Sequence, residues 1–224
     1  GDPDAVAQAE AVFSQEADHW LVREIHLFWT RVLKRLDVSA RTLITTVEPG
    51  SCFVGVLAEL VLVADRSFML EGTWEDDDDP PPPATIRLAE TNTVFPMGNG
   101  LTRLQTRFWQ RPDALAKALA AVDTDLDAAA AAETELVTFT PDDLDWHDEL
   151  RVAYEERNSF SPDALTGMEA NYRFVGPETM ETKIFSRLSA WQNWIFQRPN
   201  AVGPDGALQR FGTGSRPTFD NRRV

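Results

Sequence analysis

The sequence contains a single cysteine and only three histidines among its 224 residues. An internal disulfide is therefore excluded, and a reduced, cytoplasmic compartment is the simplest expectation. His19, His26 and His147 are far apart, with neither an HExxH motif nor a Cys–His metal spacing, so we predict no metal site. Because no histidine lies near Cys52 in the chain, we interpret that residue as a small packing residue beside a pocket rather than as a nucleophile.

Positive charge is also scarce, with 21 Lys and Arg residues against 36 Asp and Glu, a formal net charge of -15. Nucleic-acid binding requires a basic surface, and anionic membranes attract basic segments, so we expect neither as a partner. No apolar run approaches the length of a membrane span, and no signal peptide is recognisable. No glycine-rich nucleotide motif is present either. The acidic surface is interpreted as a source of solubility.

Strands and helices alternate in the first 140 residues. Short β-branched or apolar runs predict strands at 42–47, 67–70, 85–88 and 136–139. Apolar residues at helical spacing predict helices at 3–36, 55–64, 100–110, 113–122 and 127–135. This alternation is typical of an α/β core with a largely parallel sheet.

The remainder of the chain has a different pattern. Helices are predicted at 142–158, 162–172 and 177–197, followed by a Gly- and Pro-rich tail that we expect to be irregular. We therefore divide the chain into an α/β core at 1–140 and a helical C-terminal subdomain with its tail at 141–224. Within the core, a loop at 72–84 contains the run EDDDDPPPP, which cannot pack and is interpreted as an exposed insertion.

Glu59 is an anomaly, because it is the one carboxylate within the apolar run GVLAELVLVA. Burial would raise its pKa and allow proton exchange near neutral pH. The alternative is a structural glutamate that is hydrogen-bonded to nearby backbone. Gly55 opens the same helix after a sharp turn, and backbone amides at a helix start can bind an oxyanion. A packing role for this glycine is equally consistent with the sequence.

Glu90 is the second candidate carboxylate. It ends the strand at 85–88, and Asn92 follows it closely. Ligands of open α/β sheets bind beyond the carboxyl ends of strands, so both side chains are candidates to line a pocket. By composition alone, however, Glu90 is equally well explained as a loop residue that faces solvent.

Three runs carry a resemblance to the crotonase superfamily: VEPGSCFVGVLAELVLVAD at 47–65, ATIRLAE at 84–90 and DTDLDAAAAAETELV at 123–137. A further run, GPETMETKIFSRLSAWQNWIFQRPNAVG at 176–203, resembles the benzoyl-CoA-dihydrodiol lyases within it. The resemblance covers nearly the whole chain. It implies a partial crotonase-like (ClpP/crotonase) core with a helical C-terminal subdomain, and a C-terminal part of a longer enzyme.

The resemblance also implies a site and a reaction. Glu59 and Glu90 would handle protons, and the amide of Val56, preceded by Gly55, would bind the thioester oxygen. The reaction would open 2,3-epoxybenzoyl-CoA with water to 3,4-dehydroadipyl-CoA semialdehyde and formate, in aerobic benzoate degradation. No cofactor is implied, since coenzyme A is part of the acyl-CoA substrate. A homo-oligomer is the expected assembly.

Two other functions remain open. The chain could be a non-catalytic fragment or paralogue that is kept for oligomer contacts, or a crotonase-type hydratase or lyase for another acyl-CoA. In crotonases a second amide completes the oxyanion site, and here it would lie at or before Gly1. We therefore expect this chain alone to be inactive and the longer enzyme to be active.

Overall fold

The computed structural model describes residues 1–74, 79 and 81–223. The chain divides into two compact units, the first formed by 1–37 with 43–151 and the second by 38–42 with 152–224. The sequence pattern places a boundary at 140, whereas this division falls at 151.

The first unit begins with two helices, α1 (Pro3–Gln15) and α2 (Trp20–Asp37), where the sequence pattern predicts one continuous helix. That prediction is wrong at residues 16–19, which form a turn. Nδ1 of His19 accepts a hydrogen bond from the backbone N–H of Leu21 at 3.2 Å. The imidazole thus satisfies a donor in the first turn of α2, which permits a new helix to begin there.

Among the described residues, five short strands build the sheets of the first unit. They are β1 (Ile44–Val47), β2 (Phe53–Val54), β3 (Arg66–Met69), β4 (Ile86–Arg87) and β5 (Asp125–Leu126). β1 pairs with β3 and β2 pairs with β4, both in parallel, while β4 pairs with β5 in antiparallel orientation. The alternating sequence pattern indicates this largely parallel arrangement, but β2 and β5, with two residues each, are too short for periodicity to reveal.

The predicted strand at 136–139 is not formed as a strand. It contributes one isolated parallel bridge, between Phe139 and Phe68 of β3, whose rings stack with centroids 4.9 Å apart. Glu135, immediately before the segment, has φ of 57°, a left-handed conformation. Such a residue interrupts an extended run, so pairing is confined to the end of the segment.

Helices cover both the turn after β2 and the later part of the first unit. A 3₁₀ segment, Gly55–Ala58, continues into α3 (Glu59–Val63). It is followed by α4 (Arg103–Arg107), α5 (Pro112–Ala120) and α6 (Ala128–Glu133), and α7 (Trp146–Asn158) begins before residue 151, the end of the first unit, and continues past it. The core between these elements contains Val47, Ala58, Val61, Met69, Ile86, Leu88, Leu104, Phe108 and Leu136. Removal of this apolar surface from water is the main force that holds the sheets and helices together.

The second unit contains α8 (Pro162–Tyr172) and a longer helical stretch made of α9 (Met180–Thr182), a π-helical segment (Lys183–Leu188) and α10 (Ser189–Ile195). The expectation of a wholly irregular tail is wrong, because α11 (Pro199–Val202) and α12 (Ala207–Arg210) follow. Proline at the first position of α11 has a fixed φ that suits a helix start, which explains this short turn.

A buried ionic cluster holds the segment 38–42 in the second unit. Arg173 donates to the carbonyl oxygens of Ser39 and Arg41. Its guanidinium also lies 3.3 Å from Glu169, whose carboxylate accepts the hydroxyl of Thr42 at 2.8 Å. Both charged side chains are almost fully buried, so their mutual pairing is required for either to be tolerated there.

Two further expectations from the sequence concern the acidic, proline-rich loop and membrane-spanning helices. The loop predicted at 72–84 includes residues 75–78 and 80, which lie outside the described residues. Within the described part of the chain, no helix combines the length and the apolar character needed to cross a membrane.

Candidate functional site

The candidate site is centred on the turn that leads from β2 into α3. Gly55 has φ of 53°, which L-residues with a side chain rarely adopt. A Cβ atom at Gly55 would also overlap the carboxylate of Glu10, which comes from α1. Glycine is therefore required here both for backbone conformation and for the close approach of a carboxylate.

The backbone amide of Val56, the candidate oxyanion donor, is occupied. It donates to Oε1 of Glu10 at 2.5 Å. The hydroxyl of Thr91 donates to Oε2 of the same carboxylate at 2.9 Å. Glu10 is only 8 % exposed, so a buried carboxylate lies where the family resemblance places a thioester oxygen.

Glu59 lies at the start of α3, completely buried, and both of its carboxylate oxygens accept hydrogen bonds. Oε2 accepts from Arg103 of α4 at 2.6 Å, and Oε1 accepts from the amide of Asn92 at 2.8 Å. Arg103 is itself buried and also donates to Asp37 of α2 at 2.7 Å and to the carbonyl of Leu33 at 2.8 Å. One guanidinium thus joins three helices through two buried carboxylates.

Burial raises the pKa of the Glu59 carboxyl above its ordinary value, because desolvation disfavours the charged form. The Arg103 charge and the hydrogen bonds from Arg103 and Asn92 oppose this rise, while the nearby Asp37 charge adds to it. The direction of the shift agrees with the expectation from the apolar sequence around Glu59. The alternative expectation is a structural glutamate hydrogen-bonded to nearby backbone, whereas the partners of Glu59 are the side chains of Asn92 and Arg103.

Asn92 connects the two parts of the site. Its Nδ2 donates to the carbonyl of Gly55 at 2.9 Å as well as to Glu59, and its Oδ1 accepts the N–H of Ala89 at 2.9 Å. The side chain is completely buried with both polar atoms engaged. Asn92 therefore fixes the turn at Gly55 against the 3₁₀ segment Glu90–Thr93.

The remaining candidates are placed differently. Glu90 begins the same 3₁₀ segment as Asn92, but its residue is exposed and it is not among the hydrogen-bond partners of Glu59. The structure brings Gly55, Glu59 and Asn92 into direct contact, and the joint action of the two glutamates stays a prediction. Cys52 is a partly buried free cysteine just before β2, and it lies against Gly1.

Glu10, Thr91 and Arg103 are the residues that sequence reasoning missed. Glu10 and Val56 are 46 positions apart, and Arg103 and Glu59 are 44 apart, so no local spacing connects them. A weak indication that Glu10 is buried was present in the sequence, because alanines flank it on both sides. Among the described residues, no group of three or more His, Cys, Asp or Glu is arranged to hold a metal ion.

The sequence matches no protein-family model. It is 49 % identical, over 100 % of its length, to a benzoyl-CoA-dihydrodiol lyase from Aromatoleum evansii. The chain is homologous to a part of that lyase. It spans 39 % of the length of the Aromatoleum lyase, so the activity of the whole protein is a matter for proposal.

The fold is that of the crotonases. An enoyl-CoA hydratase from Geobacillus kaustophilus superposes with a TM-score of 0.66 at 17 % identity, over 89 % of this chain and 69 % of the hydratase. An enoyl-CoA hydratase/isomerase from Cupriavidus metallidurans gives a TM-score of 0.64 at 20 % identity, over 96 % and 75 % of the two chains. The expected crotonase-like fold is thereby confirmed.

Proposed function

We propose that the protein to which this chain belongs opens the ring of 2,3-epoxybenzoyl-CoA with water, and releases formate and 3,4-dehydroadipyl-CoA semialdehyde. The observation that carries this proposal is the 49 % identity to a benzoyl-CoA-dihydrodiol lyase, which extends over the whole chain. The crotonase fold supports it, because the similar solved structures include enoyl-CoA hydratases, whose names indicate CoA thioester substrates. A homo-oligomer, a cytoplasmic location and the absence of a cofactor remain predictions.

In this proposal the residues around the Gly55 turn have defined roles. The Val56 amide would stabilise negative charge on the thioester oxygen, a type of interaction whose loss lowers rates about a hundred- to a thousandfold. Glu59 and Glu90 would exchange protons with water and with the opening epoxide. Glu90 is exposed and free to meet a ligand, whereas Glu59 would first have to exchange Asn92 or Arg103 for water or substrate.

Glu90→Gln in the full-length protein is the sharpest test of these roles. The carboxylate is exposed, so the substitution should leave stability unchanged, and any loss of rate reports on chemistry. Loss of a general acid or base lowers the rate about 10²–10⁴-fold. Formate release from 2,3-epoxybenzoyl-CoA is the assay, and the exposed Glu71→Gln is the matched control. A Glu90→Gln enzyme with normal kcat would refute a proton-transfer role.

A second candidate function is favoured by a specific observation. Glu59 has both oxygens engaged by Asn92 and Arg103, and the Val56 amide is engaged by Glu10. Groups held in this way are typical of a structural network, so this chain would be a non-catalytic crotonase-fold module of the lyase. That account predicts normal kcat for both Glu90→Gln and Glu59→Gln, with lower stability for Glu59→Gln alone.

A further inference from the structure

Glu10 reaches the Gly55 turn from a helix that is otherwise held at the surface. It is the only buried residue of α1; every other residue of the helix is exposed or partly exposed. The other side-chain contacts of α1 include the Phe13 ring, which packs edge to face against Trp29 at 5.6 Å and His26 at 6.2 Å, and an ion pair at 3.6 Å between the exposed Asp4 and the partly buried Arg87. The main buried anchor of α1 is therefore a single carboxylate.

The surroundings of this carboxylate are unusual for a structural role. Its hydrogen-bond partners are one backbone amide and one hydroxyl, of Val56 and Thr91, and no side-chain cation of the described residues forms an ion pair with it. A buried carboxylate normally requires a cation or several donors, so an uncompensated one is costly. An amide and a hydroxyl that each donate to a different oxygen of one carboxylate in a nearly dry site form, in contrast, an arrangement that binds a carboxylate, and the amide alone is the kind of donor that stabilises an oxyanion.

We propose that the Val56 amide and the Thr91 hydroxyl form a binding site for a carboxylate or thioester oxygen, and that Glu10 is its internal ligand. Glu10 keeps the site closed, and an external ligand binds only when this side chain withdraws. The shallow attachment of α1 makes withdrawal feasible, since it uncovers little apolar surface. The thioester part of this inference rests on the proposed function, whereas the contact made by Glu10 stands without it.

The test uses the full-length protein with Glu10→Ala, which leaves room for one small carboxylate. Acetate should restore the stability that Glu10→Ala loses, because a ligand that binds only the native state stabilises that state. At ten times its Kd, acetate should raise the folding equilibrium constant of Glu10→Ala about elevenfold, measured as a rise in Tm relative to chloride at equal ionic strength. Wild type and the exposed control Glu16→Ala should show no such rise.

A second variant keeps the inference testable if Glu10→Ala does not fold. Thr91→Val preserves side-chain volume and removes one of the two donors to Glu10. Deuterium exchange of the Val56 amide should then accelerate about 2–10-fold, as expected for the loss of one ordinary hydrogen bond. Unchanged exchange in Thr91→Val, or a folded Glu10→Ala without a response to acetate, would overturn the inference.

Calorimetry with benzoyl-CoA separates the site from its proposed ligand. Glu10→Ala should bind benzoyl-CoA more tightly than wild type does, with the same stoichiometry, because its site does not have to be opened first. An acetate response without tighter binding of benzoyl-CoA supports the internal ligand and counts against the thioester role, so failure of the proposed function can be recognised separately.

Discussion

Arg103 provides the strongest test of how the candidate site is held together. Its guanidinium donates hydrogen bonds to Glu59 at 2.6 Å, to Asp37 at 2.7 Å and to the Leu33 carbonyl at 2.8 Å. Arg103→Met retains an apolar stem of similar length and leaves both buried carboxylates without this cation. Removal of one partner from a buried ion pair costs about 3–5 kcal/mol. For a unit of this size that corresponds to a fall in Tm of about 6–20 °C.

Urea unfolding followed by circular dichroism measures this loss. Arg111→Met is the matched control, because its ion pair with Glu135 is exposed on both sides and should matter little. Replacement of all three charges in Asp37→Leu, Glu59→Met and Arg103→Met should recover most of the loss, since apolar side chains of similar volume can replace a buried ionic cluster. A loss below about 1 kcal/mol in Arg103→Met would show that our account of the cluster is wrong.

The same variant should have a characteristic pH dependence. Burial already raises the pKa of Glu59, and removal of Arg103 takes away the largest influence that lowers it. A carboxyl with a folded pKa above its unfolded value contributes stability that is complete below the unfolded pKa and is lost as pH rises through the folded pKa. The difference in stability between wild type and Arg103→Met should therefore widen as pH rises above 4.5, the ordinary pKa of a glutamate. A constant difference would show that Glu59 does not titrate in this range.

Two further substitutions have defined outcomes. Asn92→Leu removes the donor to the Gly55 carbonyl and to Glu59, and leaves these buried acceptors short of a partner. The unfolding free energy should fall by about 1–3 kcal/mol, measured in urea, and an unchanged value would contradict the linking role of Asn92. Arg173→Met removes the hydrogen-bond donor to the carbonyls of Ser39 and Arg41, which loosens this segment. Trypsin should therefore cleave after Arg41 faster than in wild type. Equal cleavage rates would contradict the role of Arg173.

Several features of this chain follow from its sequence alone. The alternation of strands and helices indicates a largely parallel α/β core, because a parallel sheet needs a crossover between strands. The lone glutamate in an apolar helical run identifies Glu59 as a buried carboxylate with a raised pKa. The runs at 47–65, 84–90 and 123–137 indicate the crotonase fold. These signals are local in the chain, either a period, a composition or a motif.

The partners of the site were decided by tertiary structure. Glu10 meets Val56, and Arg103 meets Glu59, only because α1 and α4 pack beside the turn at Gly55. Hydrogen bonds between residues more than 40 positions apart leave no periodic trace, since any exposed polar residue is equally compatible with the same local pattern. The sequence thus identifies the carboxylate that needs a partner, and packing alone determines that the partner is a guanidinium and that the nearby amide is occupied by Glu10.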